Sequence, residues 1–226
     1  MNVAVLDFFL RNVDCNEFNN KRILEVGSKF VNGSVRPLIE RFCHPKEYVG
    51  IDVEPGKYVD LVLPAERLID HFGPKSFDVV ISTEVLEHVF DWRLVINNMK
   101  EVLRCGGYIY ITTRSHGFPY HAYPYDFWCY EPRDLIEIFK DFEIIRFEVD
   151  WMEPGVFLKA KKPVNWSPID LDNIALYSII LGRRVRGLVN LNDAPLPRRL
   201  SIRWHNSRIK RLLLGALMNM LVRHYM

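Results

Sequence analysis

The stretch Glu25-Val26-Gly27-Ser28-Lys29-Phe30-Val31-Asn32-Gly33-Ser34 decides how the rest of the chain is read. It follows the bulky pair Ile23-Leu24 and precedes a segment of helical spacing, so it is the turn by which a strand enters a helix. Glycine in such a turn lets backbone approach a ligand closely, and the helix behind it offers unpaired N–H groups. Asp52 closes the next bulky run, 25 residues after Gly27. A carboxylate placed there accepts hydrogen bonds from both hydroxyls of a ribose. The two features together mark a nucleoside-binding α/β sheet without saying which nucleoside. Glu25, two residues ahead of the first glycine, would attract a cationic amino group and repel a pyrophosphate. The GxGxxG spacing of a dinucleotide site is also missing.

Outward from this turn, short bulky runs recur at Val49 and Ile51, Val59 to Leu63, Val79 to Ile81 and Ile109 to Ile111. Such runs belong to strands covered on both faces, as in a parallel sheet with crossover helices. Helices are expected over Val3 to Val13, Ser34 to Phe42, Ala65 to Phe72 and Asp91 to Arg104. In the last, Val95, Met99, Val102 and Leu103 share a face, Asp91 is the expected N-cap, and Gly106 and Gly107 are expected stops. Pro132 opens a further helix that carries Leu135, Ile138 and Phe139. Glu143 to Val149 and Gly155 to Lys159 are too close in sequence for a crossover, which makes that pair antiparallel. The expected architecture is α/β: a doubly wound, Rossmann-like, mostly parallel sheet of about seven strands, the last antiparallel. The main domain is expected to span 1–162, and 163–226 to form a basic extension with a terminal amphipathic helix.

With 226 residues, 49% hydrophobic and 26% charged, the chain is not collagen-like, low-complexity or wholly disordered. No apolar run approaches the 18 residues of a membrane span, and the N-terminus lacks the basic region of a secretory signal. Four cysteines, Cys15, Cys43, Cys105 and Cys129, show no CxxC pair or zinc spacing and read as reduced thiols of a cytoplasmic protein. From Gly182 to Met226, ten Lys and Arg face one acid, Asp193, whereas the rest of the chain is net acidic. The basic tail is therefore the part expected to meet a polyanion, be it membrane surface, nucleic acid or acidic glycan, or else to dock on its own acidic body.

The turn at Gly27, the carboxylate at Asp52, Ser82-Thr83-Glu84-Val85-Leu86-Glu87-His88-Val89 after the fourth strand and Leu103-Arg104-Cys105-Gly106-Gly107 before the fifth occur in one order. In this set the chain resembles the class I S-adenosylmethionine-dependent methyltransferases over roughly residues 22 to 160. The resemblance implies S-adenosyl-L-methionine as cofactor. Glu25, Gly27 and Gly33 would line its methionine part, Asp52 would hold the ribose, and Ser28, Asn32, Val53, Ala65, Thr83 and Glu84 would complete the cofactor site. Two departures stand out. Pro64 occupies the place of an acid that reads the adenine amino group, and the first loop spends Lys29, Phe30 and Val31 before Asn32-Gly33.

Methyl transfer from a sulfonium is an in-line displacement, for which the protein supplies proximity, orientation and a dry pocket. Phe118 to Tyr130 holds seven aromatic residues in 13, against 13% aromatic for the chain, and follows the fifth strand where ligands of such sheets bind. Its rings either wall the methyl donor or form a satellite core. An oxygen acceptor gains from a general base near neutral pH. Among His88, His116 and His121, the last is favoured as catalytic base, with Asp126 as orienting carboxylate; His116, Tyr120, Tyr123 and Trp128 are candidate acceptor contacts. A metal set can be built from Glu84, Glu87, His88, His116 and His121, but no metal is expected, because Glu84, Glu87 and His88 at helical spacing cannot all point one way and there is no compact ligand motif. The run His121, Pro124, Asp126, Trp128 is similar to a loop in a subset of the family associated with glycan biosynthesis, which implies a small-molecule or glycan acceptor methylated at a hydroxyl.

The segment Ser207 to Met226 sets basic residues before an apolar stretch too short to cross a bilayer. It suits a membrane-surface contact, making the protein peripheral at the membrane, a homodimer contact, or packing on its own domain. Two other functions compete: an RNA methyltransferase that uses the arginine-rich tail, and a non-catalytic nucleoside-binding scaffold.

Overall fold

The computed structural model describes residues 1–121 and 126–205, with 203–205 as backbone only. α1 (Val3–Asn12) and α2 (Cys15–Phe18) precede β1 (Arg22–Val26), and α3 (Arg36–Cys43) leads to β2 (Glu47–Asp52) and β3 (Leu61–Val62). α4 (Leu68–Phe72), β4 (Phe77–Thr83), α5 (Trp92–Val102) and β5 (Leu103–Arg114) continue the alternation. β6 (Trp128–Cys129), α6 (Pro132–Ile138), β7 (Glu143–Val149) and β8 (Gly155–Lys161) follow, then β9 (Leu176–Ser178), β10 (Arg183–Val185) and α7 (Leu196–His205).

Seven strands form one sheet in the order β3-β2-β1-β4-β5-β8-β7. β1 pairs in parallel with both β2 and β4, while β8 is antiparallel to β5 and β7. The chain therefore departs from β1 in both directions along the sheet, which opens a crevice at the carboxyl ends of β1, β2 and β4. The bulky strands are buried on both faces, as their unbroken apolar runs require. Ile23, Val79 and Ile81 meet Phe8 and Phe9 of α1 and Ile39 of α3 on one side, and Leu24, Val26 and Val80 meet Trp92, Val95 and Met99 on the other. Each fully buried Phe of α1 contributes about 1.5–3 kcal/mol.

Local signals account for most boundaries. Asp91 caps α5 by accepting a hydrogen bond from Leu94 N–H at 3.1 Å, and Pro132 sits at the start of α6. At the far end of α5, the buried Lys162 ammonium donates to the carbonyls of Lys100 at 2.6 Å and Leu103 at 2.8 Å, groups the helix leaves unpaired. Gly106 and Gly107, expected as stops, lie inside β5. The β4–β5 register jumps from Phe77↔Leu103 to Val79↔Tyr108, so β5 carries extra residues there, and Gly106 absorbs them at φ +80°.

Two further expectations are corrected. Cys15 and Cys43 form a disulfide; the remaining cysteines, Cys105 and Cys129, are free thiols. Their distance in sequence conceals that α2 and α3 pack on the same face of the sheet, with the two Cα atoms 4.6 Å apart. The boundary near Lys162 marks the end of the large sheet rather than of the packed body. β9 pairs with β6 and β10 in a three-stranded sheet, and Leu171, Leu176, Ile180, Val189 and Ala194 enter the main core. Among the described residues no helix is long and apolar enough to cross a membrane. Residues 207–226, on which the tail expectations rest, lie outside the described residues.

Candidate active site

Gly27 ends β1 at φ +76°, and its N–H and that of Ser28 both donate to the Ile51 carbonyl at 2.9 Å. A Cβ on Gly27 would lie 2.0 Å from Cγ2 of Val85, so this close approach of two loops admits no side chain. Asp52, at the end of β2, accepts hydrogen bonds from Lys29 N–H at 3.2 Å and Glu54 N–H at 3.1 Å, one on each carboxylate oxygen. Each oxygen keeps a further lone pair. Val53 beside it is exposed. Thr83 ends β4 on the neighbouring strand, so the turn, the carboxylate and Thr83 share one edge of the crevice.

Glu25 is buried beneath the turn and accepts a hydrogen bond from the Tyr48 hydroxyl at 2.8 Å. Burial pushes its carboxyl up to about 7, against the opposing pull of the Tyr48 hydrogen bond. Asn32 Oδ1 accepts from the ammonium of Met1 at 2.7 Å, and a Cβ on Gly33 would lie 2.4 Å from the Met1 methyl. Ala65 opens a short 3-10 turn held by Asn98, whose amide donates to the carbonyls of Ala65 at 3.2 Å and Glu66 at 2.8 Å. Glu84 follows β4 at φ +57°, a conformation that costs a non-glycine residue about 1 kcal/mol or more. Its N–H donates to the Thr112 carbonyl at 2.9 Å, its carboxylate pairs with Arg114, and burial followed by the charge of Glu87 raises it to about 7. Sequence reasoning missed Arg114, the buried cation that also bridges Asp150 at 3.1 Å and Glu153 at 3.4 Å.

On the acceptor side, Asp126 is fully buried and organises two imidazoles. Oδ1 lies 2.9 Å from His88 Nδ1, and Oδ2 accepts from the backbone N–H of His121 at 2.5 Å and lies 3.4 Å from its Nδ1. The two rings meet edge to face, Nε2 to Nε2 at 3.2 Å. The structure thus brings His121 and Asp126 together, and adds His88, which the sequence offered only as one of three histidines. Phe118 packs against His121 and lies under Arg114. His116 stands apart, its ring against Tyr177, and with Tyr120, Phe118, Tyr177 and Arg198 it lines a cavity of about 350 Å³.

Trp128 is corrected as an acceptor contact. Its ring is fully buried in the main core and its indole N–H donates to the Phe90 carbonyl at 3.1 Å, because β6 docks the aromatic segment onto the body. Tyr123 lies outside the described residues. Glu87, His88 and His121 each bring one ligand-type atom into a group within 4.8 Å. All three stand among the five side chains from which the sequence could build a metal set, a reading it weighed as the weaker one. Here Leu86–His88 is a 3-10 turn, Glu84 is tied to Arg114, and His121 takes the third place.

Residues 24–111 match the family described as a methyltransferase domain. Among solved structures, the chain is similar to the methyltransferase in complex with the Trm112 methyltransferase activator of Haloferax volcanii, with TM-score 0.57, 13% identity, and 71% of this chain and 89% of that one covered. The [4+2]-cyclase SpnF aligns with TM-score 0.56 and 16% identity over 71% of this chain and 81% of that one. The 1,6-didemethyltoxoflavin-N1-methyltransferase of Burkholderia thailandensis, bound to S-adenosylhomocysteine, gives 0.54 and 14% over 71% and 76%. At these identities the likeness shows the fold alone, and a cyclase among the three underlines that. No curated protein matches the chain. The matched segment is 88 of the 226 residues, and with the sheet order it supports an S-adenosylmethionine-dependent methyltransferase, an enzyme whose cofactor is S-adenosyl-L-methionine.

Proposed function

We propose that the chain methylates a hydroxyl of a small molecule or glycan, with His121 taking the proton and Asp126 fixing the imidazole. The observation that carries this reading is the Asp126 carboxylate, buried and within hydrogen-bond reach of the cluster, with His88 Nδ1 at 2.9 Å and the exposed-side His121 stacked on it. A buried carboxylate holds an imidazole in one tautomer and stabilises it when it gains a proton. The cavity beside it supports a polyhydroxylated acceptor, since His116, Phe118, Tyr120 and Tyr177 offer ring faces for stacking and polar tips for hydroxyl groups. We further propose that Gly27, Ser28, Asn32, Gly33, Asp52, Val53, Ala65, Thr83 and Glu84 contact the cofactor, with Glu25 beneath its methionine part. The placement of Gly27, Asp52 and Thr83 at neighbouring strand ends supports this.

The test is an acceptor screen, beginning with sugars and glycolipids, that follows transfer of a labelled methyl group and locates it by NMR. O-methylated product from wild type, with turnover about 10²-fold lower in His121→Ala at unchanged affinity for S-adenosylhomocysteine, is the expected outcome. An N- or C-methylated product, or full turnover by the variant, would overturn the assignment.

A further inference from the structure

We propose that Glu87, His88 and His121 form a binding site for one divalent first-row transition ion, next to the carboxyl ends of β4 and β5. The first argument is the direction of the lone pairs. His88 Nδ1 lies 2.9 Å from Asp126 Oδ1, and His121 Nδ1 lies 3.3 Å from the Pro119 carbonyl and 3.4 Å from Asp126 Oδ2. The two Nε2 atoms stand 3.2 Å apart, and a proton on each Nδ1 would turn both Nε2 lone pairs toward one ion. A carboxylate or carbonyl on Nδ1 is also the arrangement that fixes tautomer and ring orientation in metal-bound histidines.

The second argument is independent of the histidines. Glu87 is 1% exposed; its Oε2 accepts from the Thr113 hydroxyl at 2.9 Å, while its Oε1 is buried with no hydrogen-bond partner among the described residues. That oxygen lies 4.0 Å from His88 Nε2, on the side of the imidazole pair. An unpartnered buried carboxylate oxygen is costly, and a cation offsets the cost directly. The surroundings reinforce the demand, since Glu87 and Asp126 are both buried and the nearby Arg114 is shared among Glu84, Asp150 and Glu153.

Geometry narrows the ion. With bonds of about 2.1 Å, adjacent ligand atoms stand about 3.0 Å apart in an octahedral shell and about 3.4 Å in a tetrahedral one. The Nε2 pair at 3.2 Å fits either, and the Glu87 oxygen, 4.0 Å from His88 Nε2 in a group that lies within 4.8 Å, would have to close on the ion. Two imidazoles and one carboxylate favour zinc, iron or cobalt over magnesium or calcium, and leave coordination positions open for water or an acceptor oxygen. Ion and proton compete for the same Nε2 lone pair, so the base role proposed for His121 belongs to the metal-free chain and the ligand role to the ion-bound one. The site does not depend on the identity of the acceptor.

The full chain, stripped with chelator and dialysed, is titrated with Co²⁺ and followed by calorimetry and visible absorption. One Co²⁺ per chain is expected in wild type, with affinity reduced about tenfold or more in His88→Ala, His121→Ala and Glu87→Gln, and by a comparable factor in Asp126→Asn. Affinity for S-adenosylhomocysteine is measured on the same samples and is expected to stay within about twofold, which also verifies folding. His121 is partly exposed, so its variant remains informative if the buried Glu87 variant fails to fold. Absence of Co²⁺ binding in wild type, or equal affinity in wild type and both histidine variants, overturns the proposal. Loss of S-adenosylhomocysteine binding in wild type would count against the cofactor assignment and leave the Co²⁺ result standing.

Discussion

Glu25 offers the sharpest test of the reasoning, through Glu25→Gln. Its carboxyl is pushed from an ordinary 4.5 to about 7, first by burial, with the Tyr48 hydrogen bond working in the opposite direction. Between these values the folded chain holds a proton that the unfolded chain releases, so stability falls as pH rises. The contribution is fully present below about 4.5 and lost above about 7, and the gap corresponds to about 3 kcal/mol. Glutamine keeps an oxygen for the Tyr48 hydroxyl and cannot ionise. Relative to wild type, the variant should therefore gain about 3 kcal/mol between pH 4.5 and pH 8, read by urea unfolding at several pH values. Cofactor binding should move the other way. A cationic amino group prefers the ionised carboxylate, so wild-type affinity should rise with pH up to about 7, by as much as about tenfold per pH unit, while the variant binds more weakly and without that slope. Parallel stability curves for the two proteins, or the same pH slope of cofactor affinity in both, would refute the account of Glu25 as a buried, proton-linked contact.

Other residues make narrower claims. Asp52→Ala should weaken S-adenosylhomocysteine binding by about 1–3 kcal/mol in calorimetry with little change in thermal stability, since the carboxylate's own partners are two loop N–H groups. Gly27→Ala should lower stability by about 1–2 kcal/mol through its φ of +76° alone, and by more through the contact with Val85; adding Val85→Ala should recover the second part and not the first. Thiol titration in denaturant should count two thiols, Cys105 and Cys129, without reductant and four with it. Four thiols without reductant would disprove the Cys15–Cys43 bond.

The strand-end positions of Gly27 and Asp52 were legible in the sequence because their signals are local. A bulky run that stops at Gly27, and another that stops at Asp52, report strand ends directly, and parallel pairing then places them side by side. The same holds for α5 and α6, whose caps lie within a few residues of the helices they start. The β4–β5 irregularity escaped this logic, since glycines mark a bulge and a helix stop alike, and only the pairing of β5 with its neighbour separates the two.

The sequence by itself determined the sheet, its crevice and the residue types at the strand ends, because backbone periodicity and glycine turns act over a few residues. Only the tertiary structure decided the acceptor side. His88 and His121 are 33 positions apart, and they meet because the Phe127 N–H docks on the Glu87 carbonyl at 2.9 Å while Tyr130 N–H docks on that of Arg114. Those two hydrogen bonds, with the burial of Trp128, fold the aromatic segment back over the 3-10 turn Leu86–His88 and set Asp126 between the imidazoles. Side-chain direction in a short turn and the docking of a loop are fixed by packing rather than by any sequence period, which is why Trp128 read as a ligand contact and lies in the core.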